Sequence, residues 1–186
     1  MMRTPPRFTI GIDLGTTNSV LAYARLEGDA PDIALLAVPQ LVSPSTLEPR
    51  ELLPSFCYLA TESEATRGLY DLPWAVKRGY AVGEGARRQA AEVPARTVAG
   101  AKSWLAFSRV DRHEAILPWN APAEVPKISP VEASRRYLEH LAAAWRERFP
   151  EAPLAAQDVV LTVPASFDER ARVVTRQAAQ SAGGPE

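Results

Sequence analysis

The sequence has few of the residues that carry chemistry on their own. One cysteine, Cys57, in 186 residues excludes an internal disulfide framework and a thiolate zinc site. Only two histidines occur, His113 and His140, far apart and outside any metal-ligand spacing, and both read as solvated surface residues. Neither sign of charge dominates: 21 basic and 22 acidic side chains give a net charge of -1, which removes any electrostatic case for nucleic acid or an anionic membrane as a partner. No apolar run approaches the ~18 residues of a membrane span. The start, Met-Met-Arg-Thr-Pro-Pro-Arg, enters the first strand without an apolar signal core, so a cytoplasmic protein is expected. Two common phosphate-loop patterns are missing as well, the Gly-Lys-Ser/Thr ending and G-x-G-x-x-G. Internal repeats and low-complexity tracts are not apparent.

What is present is the composition of a globular protein, 46% hydrophobic and 23% charged, in a length that can bury a core. That favours one domain, or one domain with a large insertion. The 17 prolines cluster between residues 31 and 130 and predict an irregular middle.

The clearest local pattern is Phe8-Thr-Ile-Gly-Ile-Asp-Leu-Gly-Thr-Thr-Asn-Ser19. Ile10, Ile12 and Leu14 alternate with Thr9, Gly11 and Asp13, giving a strand with one oily face and one small, polar face. Gly15 releases the backbone, and Thr16, Thr17, Asn18 and Ser19 supply four hydrogen-bonding side chains in a row. The same residues suit an ordinary hairpin turn capped by Asp13, or a site for a phosphate and its metal ion. Asp13 near the end of a strand expected to be buried favours the second, because an unpaired buried carboxylate is costly.

A second strand is expected from Asn18 to about Leu26, a turn at Gly28-Asp29, and a third, buried strand over 33–38, which together make a meander. Residues 39–54 show no period and mark a boundary; 54–60 reads as a short strand and 61–79 as a polar surface loop. A brief strand at Tyr80 precedes a short helix with Ala86, Ala90 and Ala91 on its packed side, and 98–107 suggests another helical turn or two holding Lys102. Residues 108–128 are a proline-broken connector. Ser129-Pro130-Val131-Glu132 is a capping box that opens a helix with Val131, Leu138, Leu141, Trp145 and Phe149 inward and Arg135, Glu139, Arg146 and Glu147 outward, ended by Pro150. A strand at 158–163 is stopped by Pro164, and Ser166-Phe167-Asp168-Glu169 offers a second capping box to a helix ending at Gly183-Gly184. The pattern is that of an α/β fold, a mixed sheet with helices packed on it.

Ile10-Gly-Ile-Asp-Leu-Gly-Thr-Thr-Asn-Ser19 resembles the first phosphate motif of the seventy-kilodalton heat-shock chaperones (DnaK type), within the actin-like ATPase superfamily. Leu53-Pro-Ser-Phe56, Val82-Gly-Glu-Gly-Ala-Arg-Arg-Gln-Ala90, Thr97-Val-Ala-Gly-Ala-Lys102, Ile128-Ser-Pro-Val-Glu132 and Val160-Leu-Thr-Val-Pro-Ala-Ser-Phe167 match in the same order, so the resemblance spans residues 8 to about 184.

The resemblance implies an actin-like, ribonuclease H-like lobe in which residues 7–45 and 124–186 form the core subdomain and 46–123 a smaller inserted α+β subdomain. It implies ATP or ADP with Mg as ligands, and unfolded polypeptides and co-chaperones as partners of the parent protein, which would be a stress-response, protein-folding ATPase. Asp13 matches the carboxylate that holds magnesium-bound water; Gly15, Thr16, Thr17 and Asn18 match the turn that grips the β- and γ-phosphates. Lys102, by its residue type alone a solvated lysine, matches the lysine that reaches the γ-phosphate and the attacking water. Pro164 matches a proline that couples nucleotide state to the rest of the molecule, and Phe167 a neighbouring aromatic that packs. Three departures make the sequence a divergent branch. Ser103-Trp104-Leu105 follows Lys102 where the family has Arg-Leu-Ile-Gly; 108–128 is short; and 61–79 looks like an insertion. The family's second phosphate loop, adenosine pocket and peptide-binding domain do not occur before Glu186, so one lobe of a two-lobed ATPase is expected, with little or no turnover by itself. A sugar kinase or a filament protein of the same superfamily would share the first turn, but Val163-Pro-Ala-Ser-Phe167 and Lys102 argue against both; a non-hydrolysing, partner-binding pseudo-ATPase is the other reading.

Overall fold

The computed structural model describes residues 5–27, 32–107, 109–163 and 167–184. Strand β1 (Phe8–Leu14) alternates buried and open positions as its sequence pattern requires, and β2 (Asn18–Arg25) returns antiparallel beside it. β3 (Ala34–Leu35) adds to the far edge of β2, while β10 (Asp158–Thr162) lies parallel to β1 on the other side. β6 (Leu53–Pro54) pairs with the start of β2, at Asn18 and Ser19. The sheet is therefore mixed, in the order β10-β1-β2-β3.

Helix α4 (Pro130–Arg148) closes one face of this sheet. Trp145 and Phe149 meet Phe8 and Tyr23 in a cluster of edge-on and tilted rings, with Phe8 to Trp145 centroids 5.1 Å apart. Such contacts contribute about 0.5–1.5 kcal/mol each beyond simple burial. The Trp145 indole N–H donates to the Ala152 carbonyl at 2.7 Å, so its one polar atom is satisfied. Gln157 fixes the start of β1, its Oε1 accepting the N–H groups of Arg7 and Phe8. Helix α5 (Glu169–Ser181) packs on α4, and its C-terminus is tied off by Gly183 N–H to the Gln180 carbonyl and Gly184 N–H to the Ala179 carbonyl. The opposite sheet face is open around Thr9, Asp13 and Val160, the last 59% exposed.

The middle of the chain carries β4 (Val38–Ser43) and β5 (Thr46–Arg50) as a hairpin, then β7 (Phe56–Leu59), α1 (Glu62–Thr66), β8 (Tyr80–Val82), α2 (Glu84–Glu92), β9 (Thr97–Ala99) and α3 (Ala101–Ala106). β7 is the centre of a three-stranded antiparallel sheet between β8 and β9.

Several expectations change. The 33–38 strand is only two residues long, and the aperiodic 39–54 stretch holds a hairpin. That hairpin was hidden because β5 is exposed throughout and Pro39 faces Pro49 across the ladder. The 61–79 segment is not merely a polar loop: Thr61 and Glu64 close a capping box on α1, and Tyr70 and Leu72 are buried against Leu41, Tyr58, Ala81 and Ala86. Of the three alanines expected on the packed side of α2, only Ala86 is fully buried, and Ala91 is exposed. Residues 97–99 are strand, so the helix with Lys102 starts at Ala101. Ser129 Oγ caps α4 by accepting the Glu132 N–H at 3.0 Å, but the Glu132 carboxylate pairs with Arg135 and Arg136 instead of returning to the cap. Helix α5 is capped by Asp168, which accepts the Ala171 N–H; the expected cap Ser166 and the expected turn at Gly28-Asp29 lie outside the described residues. His140 is 2% exposed and belongs to the interior, not the surface; the wide apolar face of α4 takes it in.

Candidate functional site

The phosphate-like turn joins β1 to β2, and its shape depends on a glycine. A Cβ at Gly15 would clash with the Asn18 carbonyl oxygen, a backbone atom that cannot swing aside. Ser55, between β6 and β7, holds the turn from below. Its Oγ donates to the Gly15 carbonyl at 2.8 Å and its N–H donates to the Thr17 carbonyl at 2.8 Å. With the Ser55 proton engaged there, the buried Ser19 hydroxyl completes the chain by donating to Ser55 Oγ at 3.1 Å. Carbonyls of the turn thus point to Ser55, whereas the N–H groups of Gly15, Thr16 and Thr17 find no backbone acceptor among the described residues. Thr16 and Thr17 are exposed and Asn18 half-buried. A turn whose carbonyls are tied back and whose N–H groups stay unspent is a concavity for an anion.

Asp13 stands on the open face of β1, and β10 places Thr162 directly opposite. Thr162 Oγ1 donates to Asp13 Oδ1 at 2.8 Å. The carboxylate is 55% exposed, so the expectation that it ends a buried strand is corrected: its face of the sheet is open. Lys102 comes in from α3, which starts after Gly100 in the left-handed region at φ 63°. Its Nζ lies 3.9 Å from Asp13 Oδ1 while the side chain is only 11% exposed, its stem covered and its head at the rim. At that distance the contact is an ion pair and not a hydrogen bond, which leaves the ammonium donors available.

The departure after Lys102 has a structural role. Trp104 stacks on Trp119 with centroids 4.8 Å apart, and Leu105 is fully buried with Phe167, Ala171 and Val174. Both contacts hold α3, and Phe167 packs as expected. Pro164 lies outside the described residues.

Asp13, Lys102 and the Gly15–Asn18 turn are therefore brought together. Ser55 and Thr162 join them and were not singled out from the sequence. Ser55 stood within the Leu53-Pro-Ser-Phe56 match, a usable signal, but Thr162 depends on the parallel register of two strands far apart in the chain. No group of three or more His, Cys, Asp or Glu side chains gathers to hold a metal among the described residues. One carboxylate suits a magnesium ion that keeps most of its water and shares a nucleotide's phosphates, not a protein-only cage. Among the described residues no helix is long and apolar enough to cross a membrane.

No protein-family model matches the chain. Among curated proteins it is similar to the chaperone protein HscA of Enterobacter sp. (strain 638), 33% identical over 189 aligned residues, covering 95% of this chain and 26% of that protein. The chaperone protein HscA of Escherichia coli O139:H28 and that of Shigella boydii serotype 18 match equally, 33% over 190 residues, with 95% of this chain and 26% of each relative covered. The chain thus spans about a quarter of the length of the relatives it matches. HscA is a chaperone of the seventy-kilodalton heat-shock family. Over nearly its whole length, then, this chain is similar to part of a seventy-kilodalton heat-shock chaperone, which supports a divergent relative of that family.

Proposed function

We propose that the chain is the first-phosphate-loop lobe of an actin-like, ribonuclease H-like ATPase domain in a DnaK-type chaperone. In this reading 7–45 and 124–186 form its core subdomain and 46–123 an inserted one. The observation that carries the reading is the juxtaposition of the Gly15 turn, with unspent N–H groups, and the Asp13–Lys102–Thr162 cluster.

Each residue takes a distinct task. The N–H groups of Gly15, Thr16 and Thr17, the two threonine hydroxyls and the Asn18 carboxamide bind phosphate oxygens, Ser55 keeps the turn in register, and Lys102 places positive charge where charge develops on a transferred phosphoryl group. Asp13 orients the hydration shell of a magnesium ion, with Thr162 fixing the carboxylate. The metal, when bound with ATP or ADP, offsets phosphate charge. In the parent protein, hydrolysis drives lobe movement that controls grip on unfolded polypeptides, aided by co-chaperones.

The test is to titrate the 186-residue chain with Mg-ADP and Mg-ATP while following backbone amides by NMR. The largest shifts are expected at residues 13–19. Affinity is expected to be weaker than micromolar and turnover undetectable, because a closed cleft supplies much of the electrostatics. Lys102→Ala should weaken binding by about tenfold, the loss of one charge-assisted contact. Shifts that leave residues 13–19 untouched would overturn the reading.

A further inference from the structure

A second polar cavity, of about 170 Å³, opens beside α4 and shares no residue with the Asp13 site. Trp74, Arg78, Tyr80, Glu139, His140 and Arg146 line it. Arg78 is 9% exposed, yet its guanidinium makes no hydrogen bond or ion pair among the described residues. It lies 4.4 Å over the Tyr80 ring, which also carries Arg136 at 4.0 Å. Stacking offsets only part of what a buried cation loses with its water. Glu139, on the same cavity, forms no ion pair with it; its Oε2 accepts the Tyr80 hydroxyl at 3.2 Å and Arg135 Nη1 at 3.1 Å.

His140 presents the second unmet group. Its Nε2 faces the Pro39 carbonyl at 2.9 Å, and a carbonyl can only accept, so Nε2 carries the proton and Nδ1 is left bare. Nδ1 is buried and without a hydrogen-bond partner among the described residues. Among the described residues, the lining thus brings together a mostly buried guanidinium with no ion-pair partner, an exposed second guanidinium and a histidine whose buried Nδ1 is unsatisfied. We infer that the cavity binds a small oxyanion, a phosphate or carboxylate group, between Arg78, Arg146 and the Nδ1 edge of His140.

Arginine's planar fork suits two oxygens at once, and the imidazole joins as a donor by taking up a proton at Nδ1. Without an anion, burial, reinforced by Arg78, holds the imidazole down at about 4. The charged groups facing it are Arg78 from the 71–79 segment and Glu139 and Arg146 from α4, with the Tyr80 hydroxyl beside them. An anion favours the protonated ring, so binding strengthens as pH falls and the imidazole's titration moves upward.

The experiment uses the 186-residue chain, titrated with sodium phosphate, sodium acetate or sodium chloride at matched ionic strength, with NMR of the His140 ring and fluorescence of Trp74, whose ring lies 5.6 Å from it. Phosphate is expected to shift the His140 resonances saturably and to raise its pKa, and chloride is expected not to; a saturable acetate response as well would identify carboxylates as ligands. Arg78→Gln should weaken the phosphate response at least tenfold and Arg78→Lys less. Lys102→Ala should leave it unchanged, which separates this cavity from phosphate held at the Gly15 turn. If Arg78→Gln does not fold, the exposed Arg146→Gln decides: a weaker response supports the site and an unchanged one overturns it. A response equal in chloride, or equal in a folded Arg78→Gln, also overturns it.

Discussion

Ser55 and Gly15 shape the β1–β2 turn from opposite ends of the sequence logic. Gly15 is legible, because a glycine between a strand with a carboxylate near its end and four polar residues is a local signal. Ser55 sits forty residues away and acts through the Gly15 carbonyl, a tertiary contact with no periodicity to announce it. The burial of His140 is hidden for a related reason: a polar Glu139-His140 pair between Leu138 and Leu141 on a long helix gives no sign that the buried face is wide enough to include the histidine. Its burial has a measurable result. The folded imidazole titrates near 4 against an ordinary value of 6.5, so between those values the unfolded chain binds the extra proton. Stability from this group is complete above pH 6.5 and is lost as pH falls towards 4, by roughly 3 kcal/mol. Denaturant unfolding at pH 7 and pH 4.5, in phosphate-free buffer, should show a smaller drop for His140→Gln than for the parent sequence. An equal drop would assign the acid sensitivity to the carboxylates, of which Glu64, Glu84 and Glu132 are also held below their usual range.

At the scale of elements, periodicity was the reliable guide. Helix α4 showed its apolar stripe, its proline at the first turn and its serine cap, and each is found in place. β1, β10 and the ending of α5 were legible in the same way. The β4–β5 hairpin was not, since a strand exposed on both faces has no alternation and proline argues against a ladder. The cap of α4 is more one-sided than the sequence suggests, and this separates two substitutions. Ser129→Ala should lower stability by about 1 kcal/mol with an unchanged denaturant slope, through the lost Glu132 N–H bond. Glu132→Gln should leave the cap intact and instead loosen Arg135 and Arg136, changing the surroundings of Cys57, whose sulfur Arg136 contacts at 3.7 Å. Urea unfolding of the two variants, with thiol reactivity of Cys57 followed alongside, distinguishes them.

For the whole molecule, one apolar cluster runs from Phe8, Ile10 and Trp145 through Leu53, Cys57, Val82 and Val98 to Leu117. Side chains from 46–123 therefore share a core with those of the flanking segments. Order of elements alone could not disclose this, because the joining residues come from short strands and from the connector. That continuity matters for the site: Lys102 is carried by the middle of the chain and Asp13 by its start, and the shared core holds the two within 3.9 Å.

The Trp104–Trp119 stack gives this arrangement an optical signature. Two indoles 4.8 Å apart at an interplanar angle of 28° couple their excited states, so the folded chain should show a bisignate exciton band in its far-ultraviolet circular dichroism. Trp119→Phe should abolish the band while helix content is unchanged. Because Trp104 sits two residues from Lys102, the same band reads out directly whether the connector is still seated on the helix that positions the lysine.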